Sequence, residues 1–354
     1  MDCSKTVTRS GTPIKLLLCG SPCTKWSIAQ KNGREVLPEG IGWELFDNCR
    51  IAKEKFQPDI FLYENNKSAA QPIKDAIYSA LGGGKDSSVR LTHINSALVS
   101  AQHRERFYVT NFGDIEQPED RGILLLDVLE TDWTTDQAKS KNTTAYRLGS
   151  VVPVNTTADG KARTVKAQYY KNGMANFVTN GRYPATGVAI PVHVGTKSTD
   201  EIDGKPIYTV KNGLITVKGK QYQVNLADGY YLIRKLTPTE CERLQTLPNG
   251  YTSGVSDTQR YRAIGNGWTA EVIIHILNHA LKDVPRDKEL VVLSMYDGIA
   301  TGRYCLDKMG FTNVKYYAYE IDPYAIKIAM SNYPDIVQCG DAFRVREDQW
   351  KIPI

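Results

Sequence analysis

Leu290-Val291-Val292-Leu293-Ser294-Met295-Tyr296 runs straight into Asp297-Gly298-Ile299-Ala300-Thr301-Gly302. A nearly unbroken apolar run that gives way to a polar turn with two glycines reads as a buried strand, a tight turn and the start of a helix. Downstream, a strand over 316–319 ends at Glu320, and another near 336–337 leads to Asp341. Far upstream, the run IKLLL at 14–18 breaks into Gly20-Ser21-Pro22-Cys23 in the same way. Ile41, Leu45, Cys49, Ala52 and Phe56 then recur at helical spacing and stop before Pro58, and a strand over 59–63 delivers Glu64-Asn65-Asn66. Strand, helix, strand with polar residues at strand ends is the pattern of an α/β sheet, whose ligands sit beyond the carboxyl ends of its strands.

Between these halves the texture changes. Residues 131–233 are rich in Thr, Asn, Gly, Lys and Tyr, and Asn212-Gly213 between two apolar runs signals a hairpin. This segment carries ten lysines and three arginines against six aspartates and one glutamate, whereas the rest of the chain sums to −1. A small β-rich domain with a net charge of +6 fits a polyanionic partner. Thr237-Pro238-Thr239-Glu240 is a capping box with proline at the first helical position, so the helical texture resumes there.

The 354 residues, with 41% hydrophobic and 23% charged residues and a mean hydropathy of −0.37, exclude disordered and fibrous classes. No apolar run reaches the ~18 residues of a membrane span, and the start has no signal-peptide core, so a cytoplasmic protein with no membrane association is expected. Seven cysteines without a CxxC pair make neither a disulfide framework nor a zinc site, and no metal is expected.

Several residues are candidates for chemistry, each with a plainer alternative. The turn at 298–302 with an acid 22 residues beyond Gly298 resembles a nucleotide site, in which glycines let the backbone approach the ligand and the carboxylate takes ribose hydroxyls. It is not GxGxxG, and a third acid at 341 suits an adenine amino group, which favours S-adenosylmethionine over a dinucleotide; the alternative is a tight turn flanked by solvated acids. Cys23 lies in a loop after a strand, where a thiol is accessible and Lys25 is a basic neighbour, although a lone cysteine is more often a small buried hydrophobe, as Cys19 inside the strand run should be. Glu64 could move a proton or cap a helix. Gln102-His103-Arg104-Glu105-Arg106 would put both arginines on one face of an extended strand, able to grip a phosphate or a base oxygen, or simply solvated.

Taken together, GSPC at 20–23, LFDNCRIAKEKFQPDIFLYENN at 45–66, QHRERF at 102–107, RKLTPTECERLQTLP at 234–248, GNGW at 265–268 and YDGIATG at 296–302 resemble the DNA cytosine 5-methyltransferases. The DGIATG turn, the SAQHRERF block and Trp268 look most like the branch containing the mammalian de novo enzymes, and other blocks look bacterial or phage-like. The resemblance implies a Rossmann-like S-adenosylmethionine-dependent methyltransferase sheet with a smaller β-rich target-recognition domain. Its implied division is 1–130 for the nucleophile, Glu-Asn and Arg motifs, 131–233 for target recognition, 234–283 for the return to the catalytic domain and 284–354 for the cofactor half.

By motif, Cys23 would attack carbon 6 of a flipped cytosine, Glu64 would hold a proton at ring nitrogen 3, Arg106 would bind the ring oxygen at position 2, and Arg104 would support the nucleophile loop or a flanking phosphate. The loop from about Thr24 to Gly40 would close over the base. Asp297, Gly298, Ile299 and Thr301 fall on the cofactor turn, Glu320 on the ribose, Asp341 on the adenine, and Asn266 and Trp268 on the closing motif. The partner implied is double-stranded DNA. A cognate restriction endonuclease, a nucleoid location in a bacterial or phage-infected cell, and a monomer with a dimer as the alternative are also compatible.

This chain departs from the family pattern at Asn66, where an apolar residue is usual, and at Thr246-Leu247, where Gly-Phe is commoner. The larger departure is order: the nucleophile block comes first and the cofactor half last, a circular permutation. It requires strand 14–18 to share a sheet with strand 290–295. An RNA-directed relative is disfavoured by the long basic segment, an inactive DNA-binding relative by the presence of Cys23, Glu64, Arg104 and Arg106 together, and a dinucleotide oxidoreductase rests on the cofactor turn alone.

Overall fold

The computed structural model describes residues 11–27, 33–130, 147–179, 184–193, 201–202 and 205–352. The expectations for 28–32 within the closing loop, for 131–146, and for Lys139, Lys141, Arg182 and Lys197 lie outside the described residues. The chain forms two compact units: 1–95 with 105–118 and 270–354, and 96–104 with 119–269.

The first unit is built on one sheet of seven strands in the order Val337–Gly340, Val314–Tyr319, Leu290–Met295, Ile14–Cys19, Ile60–Asn66, Glu105–Thr110, Arg90–Asn95. The first five are parallel and Glu105–Thr110 runs against both of its neighbours. The interior strand Leu290–Met295 is buried along its whole length, as a strand covered on both faces must be. Ile14–Cys19 lies parallel beside it, from Ile14 opposite Leu290 to Cys19 opposite Met295. The required sharing of one sheet is therefore met. Helix Gly40–Phe56 packs Phe46, Cys49, Ala52 and Phe56 into this core and ends where Gln57 turns left-handed ahead of Pro58. Among the described residues no helix is long and apolar enough to cross a membrane.

The second unit carries an antiparallel sheet in the order Lys220–Gln223, Leu214–Val217, Tyr208–Lys211, Gly229–Lys235, Gly187–His193, Arg147–Leu148. Its hairpin turns on Asn212 (φ +54°) and Gly213 (φ +68°), the two left-handed residues that the Asn-Gly signal demands. This unit extends beyond 131–233, because Leu125, Leu129, Cys241, Leu244, Tyr261 and Ile264 join the same core as Val188, Ile190 and Ile215. An apolar pattern states that a face is buried, not which core receives it.

Helix Pro238–Leu244 starts with the expected capping box: Thr237 Oγ1 accepts from the Glu240 amide at 3.1 Å, and Glu240 Oε2 accepts from the Thr237 amide at 2.7 Å. Its other end is a Schellman turn, with Leu247 N bonded to Glu242 O at 3.0 Å and Thr246 N to Arg243 O at 2.9 Å. Thr246 sits at the left-handed position of that turn, at φ +56°. The family's glycine at this point thus has a backbone reason, and the β-branched threonine stands there under strain. Thr246→Gly should raise the stability of the protein by about 1 kcal/mol, read as an upward shift of the denaturant midpoint at constant slope. Thr246→Ala, which keeps a Cβ, should not.

Candidate active site

Each of the five parallel strands of the first unit ends, at the same edge of the sheet, in a residue singled out from the sequence. Cys23 follows Ile14–Cys19, Glu64 lies in the last turn of Ile60–Asn66, Asp297 follows Leu290–Met295, Glu320 follows Val314–Tyr319, and Asp341 follows Val337–Gly340. Because Glu105–Thr110 is antiparallel, its start falls at that edge too and supplies Arg106. This is where an α/β sheet binds ligands.

Glu64 lies opposite Tyr108, and Asn66 opposite Arg106, so Glu64 and Arg106 are diagonal neighbours on one face. Arg106 Nε meets Glu64 Oε1 at 2.9 Å with both side chains only 11% exposed, while Arg106 Nη1 donates to the Glu105 carbonyl at 2.8 Å. Alternation sends Tyr63 and Asn65 to the opposite face. There Asn65 Nδ2 donates to the Ser21 carbonyl at 2.9 Å and to the Tyr63 hydroxyl at 3.0 Å, and Ser21 Oγ shares a 2.7 Å hydrogen bond with that hydroxyl. All three residues are buried. The polar cluster ties the Gly20–Cys23 turn to the strand that carries Glu64. Cys23 itself is half-buried, and its carbonyl accepts from the amides of Trp26 and Ser27, so the turn closes onto the fully buried Trp26. Cys19, four residues earlier, is a core residue whose thiol is pushed well up by burial.

Arg104 corrects the expectation of a two-arginine grip. The strand begins at Glu105, and Arg104 belongs to the second unit, 4% exposed. Its guanidinium donates to the carbonyls of Gly265 at 3.1 Å, Gly267 at 2.8 Å and Val165 at 3.3 Å. Arg104 therefore braces the Gly265-Asn266-Gly267-Trp268 turn, holding Asn266 exposed and Trp268 half-buried. Gly265 has no room for a side chain, since a Cβ would lie 2.2 Å from the Ala167 amide nitrogen.

The turn after Leu290–Met295 is strained and polar. Tyr296, Gly298 and Ala300 all take positive φ (59°, 66° and 59°), and Ala300 leads into helix Thr301–Lys308. Asp297 Oδ1 accepts from Ser294 Oγ and from the Tyr316 hydroxyl, both at 2.7 Å, whereas Oδ2 is buried with no hydrogen-bond partner. Burial raises this carboxyl to about 6, against the lowering effect of the two hydroxyls. A raised acid opposes folding when ionised: this contribution is absent below the ordinary value near 3.8, grows as pH rises to about 6, and amounts to about 3 kcal/mol of lost stability at pH 7. Such a group needs a reason other than stability. Glu320 takes the Gly298 amide on Oε2 at 2.8 Å and the amides of Ile321 and Asp322 on Oε1 at 2.7 and 2.8 Å. Asp341 is exposed and caps the following turn through the Phe343 amide.

Residues 2–282 match the family model described as C-5 cytosine-specific DNA methylase. The chain belongs to that family. It is thereby an S-adenosylmethionine-dependent DNA cytosine-5 methyltransferase, as the six sequence blocks implied. It is 20% identical over 383 residues to the orphan methyltransferase M.SPRI of Bacillus phage SPR, covering 79% of this chain and 85% of that one. It is 27% identical over 284 residues to the type II methyltransferase M.HpaII of Haemophilus parainfluenzae, covering 75% and 72%. A shorter stretch of 78 residues, 22% of this chain and 13% of the other, is 35% identical to the rice DNA (cytosine-5)-methyltransferase DRM2. Sequence reasoning missed Ser21, Tyr63 and Asn65 as supports of the Cys23 turn. The only signal available was their place in the GSPC and YENN blocks.

Proposed function

We propose that this methyltransferase acts on a flipped-out cytosine within a specific double-stranded DNA sequence, through a covalent bond between Cys23 Sγ and carbon 6. The observation that carries the reading is the Glu64–Arg106 pair, set beside the strand residues that hold the Cys23 turn. Thiolate attack at carbon 6 pushes electrons toward ring nitrogen 3 and the oxygen at position 2. Glu64 holds a proton at that nitrogen, and the Arg106 fork, fixed by Glu64 and the Glu105 carbonyl, faces the oxygen. Carbon 5 then gains a methyl group and loses its proton to a base, and the electrons of that C–H bond restore the ring double bond as Cys23 leaves as a thiolate.

The residues at the other strand ends suit the family's cofactor. A buried carboxylate oxygen without a partner and a Gly298 with nothing within 4 Å of its Cβ position form a cradle for a ligand that donates hydrogen bonds. S-adenosylmethionine supplies an electrophilic methyl group on a sulfonium. Asp297, Gly298, Ile299 and Thr301 would line it; Glu320, with three amides on about four acceptor positions, keeps Oε2 capacity for a ribose hydroxyl, and Asp341 would take the adenine. Because Asp297 accepts hydrogen bonds more strongly when ionised, cofactor affinity should fall by up to about tenfold between pH 7 and pH 5 with a midpoint near 6, and Asp297→Asn should flatten that profile; isothermal calorimetry across the range checks both.

A circularly permuted order is supported by two facts. The family match ends at residue 282, short of the cofactor strand, and Ile14–Cys19 lies between Leu290–Met295 and Ile60–Asn66 in one sheet. The second unit, with exposed Lys211, Lys218 and Lys220 on its hairpins, would supply phosphate contacts and base readout. The deciding experiment is expression in a host without cytosine methylation, followed by bisulfite sequencing. Protection of cytosines within one short motif is expected. Complete conversion by a folded protein that binds S-adenosylmethionine would overturn the DNA reading and make transfer RNA the next substrate to test.

A further inference from the structure

Helix Gly40–Phe56 lies in the first unit beside both the Asp297 turn and the segment after Asp341, and one buried side chain touches both. Asn48 is fully buried. Its Nδ2 donates to the Tyr296 hydroxyl at 3.0 Å, and its Oδ1 accepts from Arg346 Nε at 2.6 Å. The Tyr296 hydroxyl donates in turn to the Leu45 carbonyl, 2.9 Å away on the helix that carries Asn48. Arg346 adds a bond from Nη2 to the Glu44 carbonyl at 3.0 Å and lies 3.5 Å from Asp47. The hydrogen bonds thus run in one direction, Arg346 to Asn48 to Tyr296 to the helix backbone, with both ends of the Asn48 amide satisfied.

We infer that Asn48 and Tyr296 are positioning residues for S-adenosylmethionine, together setting the spacing between the Asp297 and Asp341 walls of its cleft. Tyr296 is a bulky residue at φ +59°, a strained conformation that persists only where neighbours enforce it. Its hydroxyl is the enforcing group, and the next residue is Asp297, whose unpartnered Oδ2 must be aimed to be useful. Arg346 closes the turn that Asp341 caps, so the same asparagine fixes the second acid. Neither residue needs to touch the cofactor for this role. The inference rests on the cofactor reading above.

The test is direct binding of S-adenosylmethionine by calorimetry to full-length variants, with KM and kcat on DNA measured alongside. Tyr296→Phe keeps the ring and removes only the hydroxyl. It should weaken binding about fivefold to tenfold, the worth of one buried hydrogen bond, and the loss should appear in KM for the cofactor far more than in kcat. Asn48→Ala should weaken binding further, and the double variant should lose little beyond Asn48→Ala, because both act through one chain of hydrogen bonds. Wild-type affinity in Tyr296→Phe, or strictly additive losses, would overturn the positioning role. Asp297→Ala separates the two readings: if it binds S-adenosylmethionine normally, the cofactor assignment fails, whereas lost binding in Asp297→Ala beside normal binding in Tyr296→Phe sinks the Asn48–Tyr296 inference alone.

Discussion

Cys23→Ala is expected to abolish both methylation and covalent capture on duplex DNA containing 5-fluorocytosine. Fluorine at carbon 5 cannot leave as a proton does, so after methyl transfer the thiolate is not expelled and the enzyme stays bound to carbon 6. Without a sulfur at position 23 the carbon 6 bond cannot form, and the rate should fall by at least about 10³-fold, the order seen when a covalent nucleophile is removed. Cys19→Ala is the matched control. Its thiol is 2% exposed and pushed up by burial, so it offers no accessible thiolate, and capture should persist in that variant. Denaturing gel electrophoresis of enzyme incubated with labelled fluorinated duplex and S-adenosylmethionine reads both results. Undiminished capture by Cys23→Ala would remove Cys23 from the mechanism.

Legibility in the sequence followed the reach of local rules. The strands at 14–19, 60–66 and 290–295 announce themselves as apolar runs, and the Thr237 capping box and Asn212-Gly213 turn were written in their own residues. The positions of Cys23, Glu64, Asp297, Glu320 and Asp341 at strand ends followed from the same runs, since a parallel sheet brings all those ends to one edge. The two arginines of QHRER were not legible. Period-two alternation treats Arg104 and Arg106 as equivalent, but the chain passes from one unit to the other between Arg104 and Glu105, and three distant carbonyls claim Arg104. The extent of the second unit escaped for a similar reason, as Leu125 and Leu244 have the same apolar spacing whichever core they enter. Buried polar partnerships such as Asn48 with Tyr296, 248 residues apart, leave no trace in a local window at all.

Glu64→Gln should lower kcat by about 10²- to 10⁴-fold while the protein still binds S-adenosylmethionine, since the assigned cofactor residues lie on other strands. The amide matches the carboxyl in size but cannot carry a proton to ring nitrogen 3, so the ring stays too electron-rich for attack. Capture on fluorinated DNA should therefore slow by a similar factor, which places the defect before methyl transfer. The substitution also leaves the Arg106 guanidinium, 11% exposed, without its anionic partner, and breaking a buried pair from one side costs about 3 kcal/mol. Part of any loss could then come from unfolding, and a thermal melt of each variant measures that part. Arg106→Lys supplies the complementary case: it keeps a positive charge beside Glu64 but loses the fork, so stability should suffer less than in Glu64→Gln while the rate still falls. Equal loss of rate and stability in both variants would mean that the pair serves the fold alone. A rate defect in Arg106→Lys that exceeds its stability defect assigns the fork to the base, because a point charge can satisfy Glu64 but cannot also hold a second oxygen in a fixed direction.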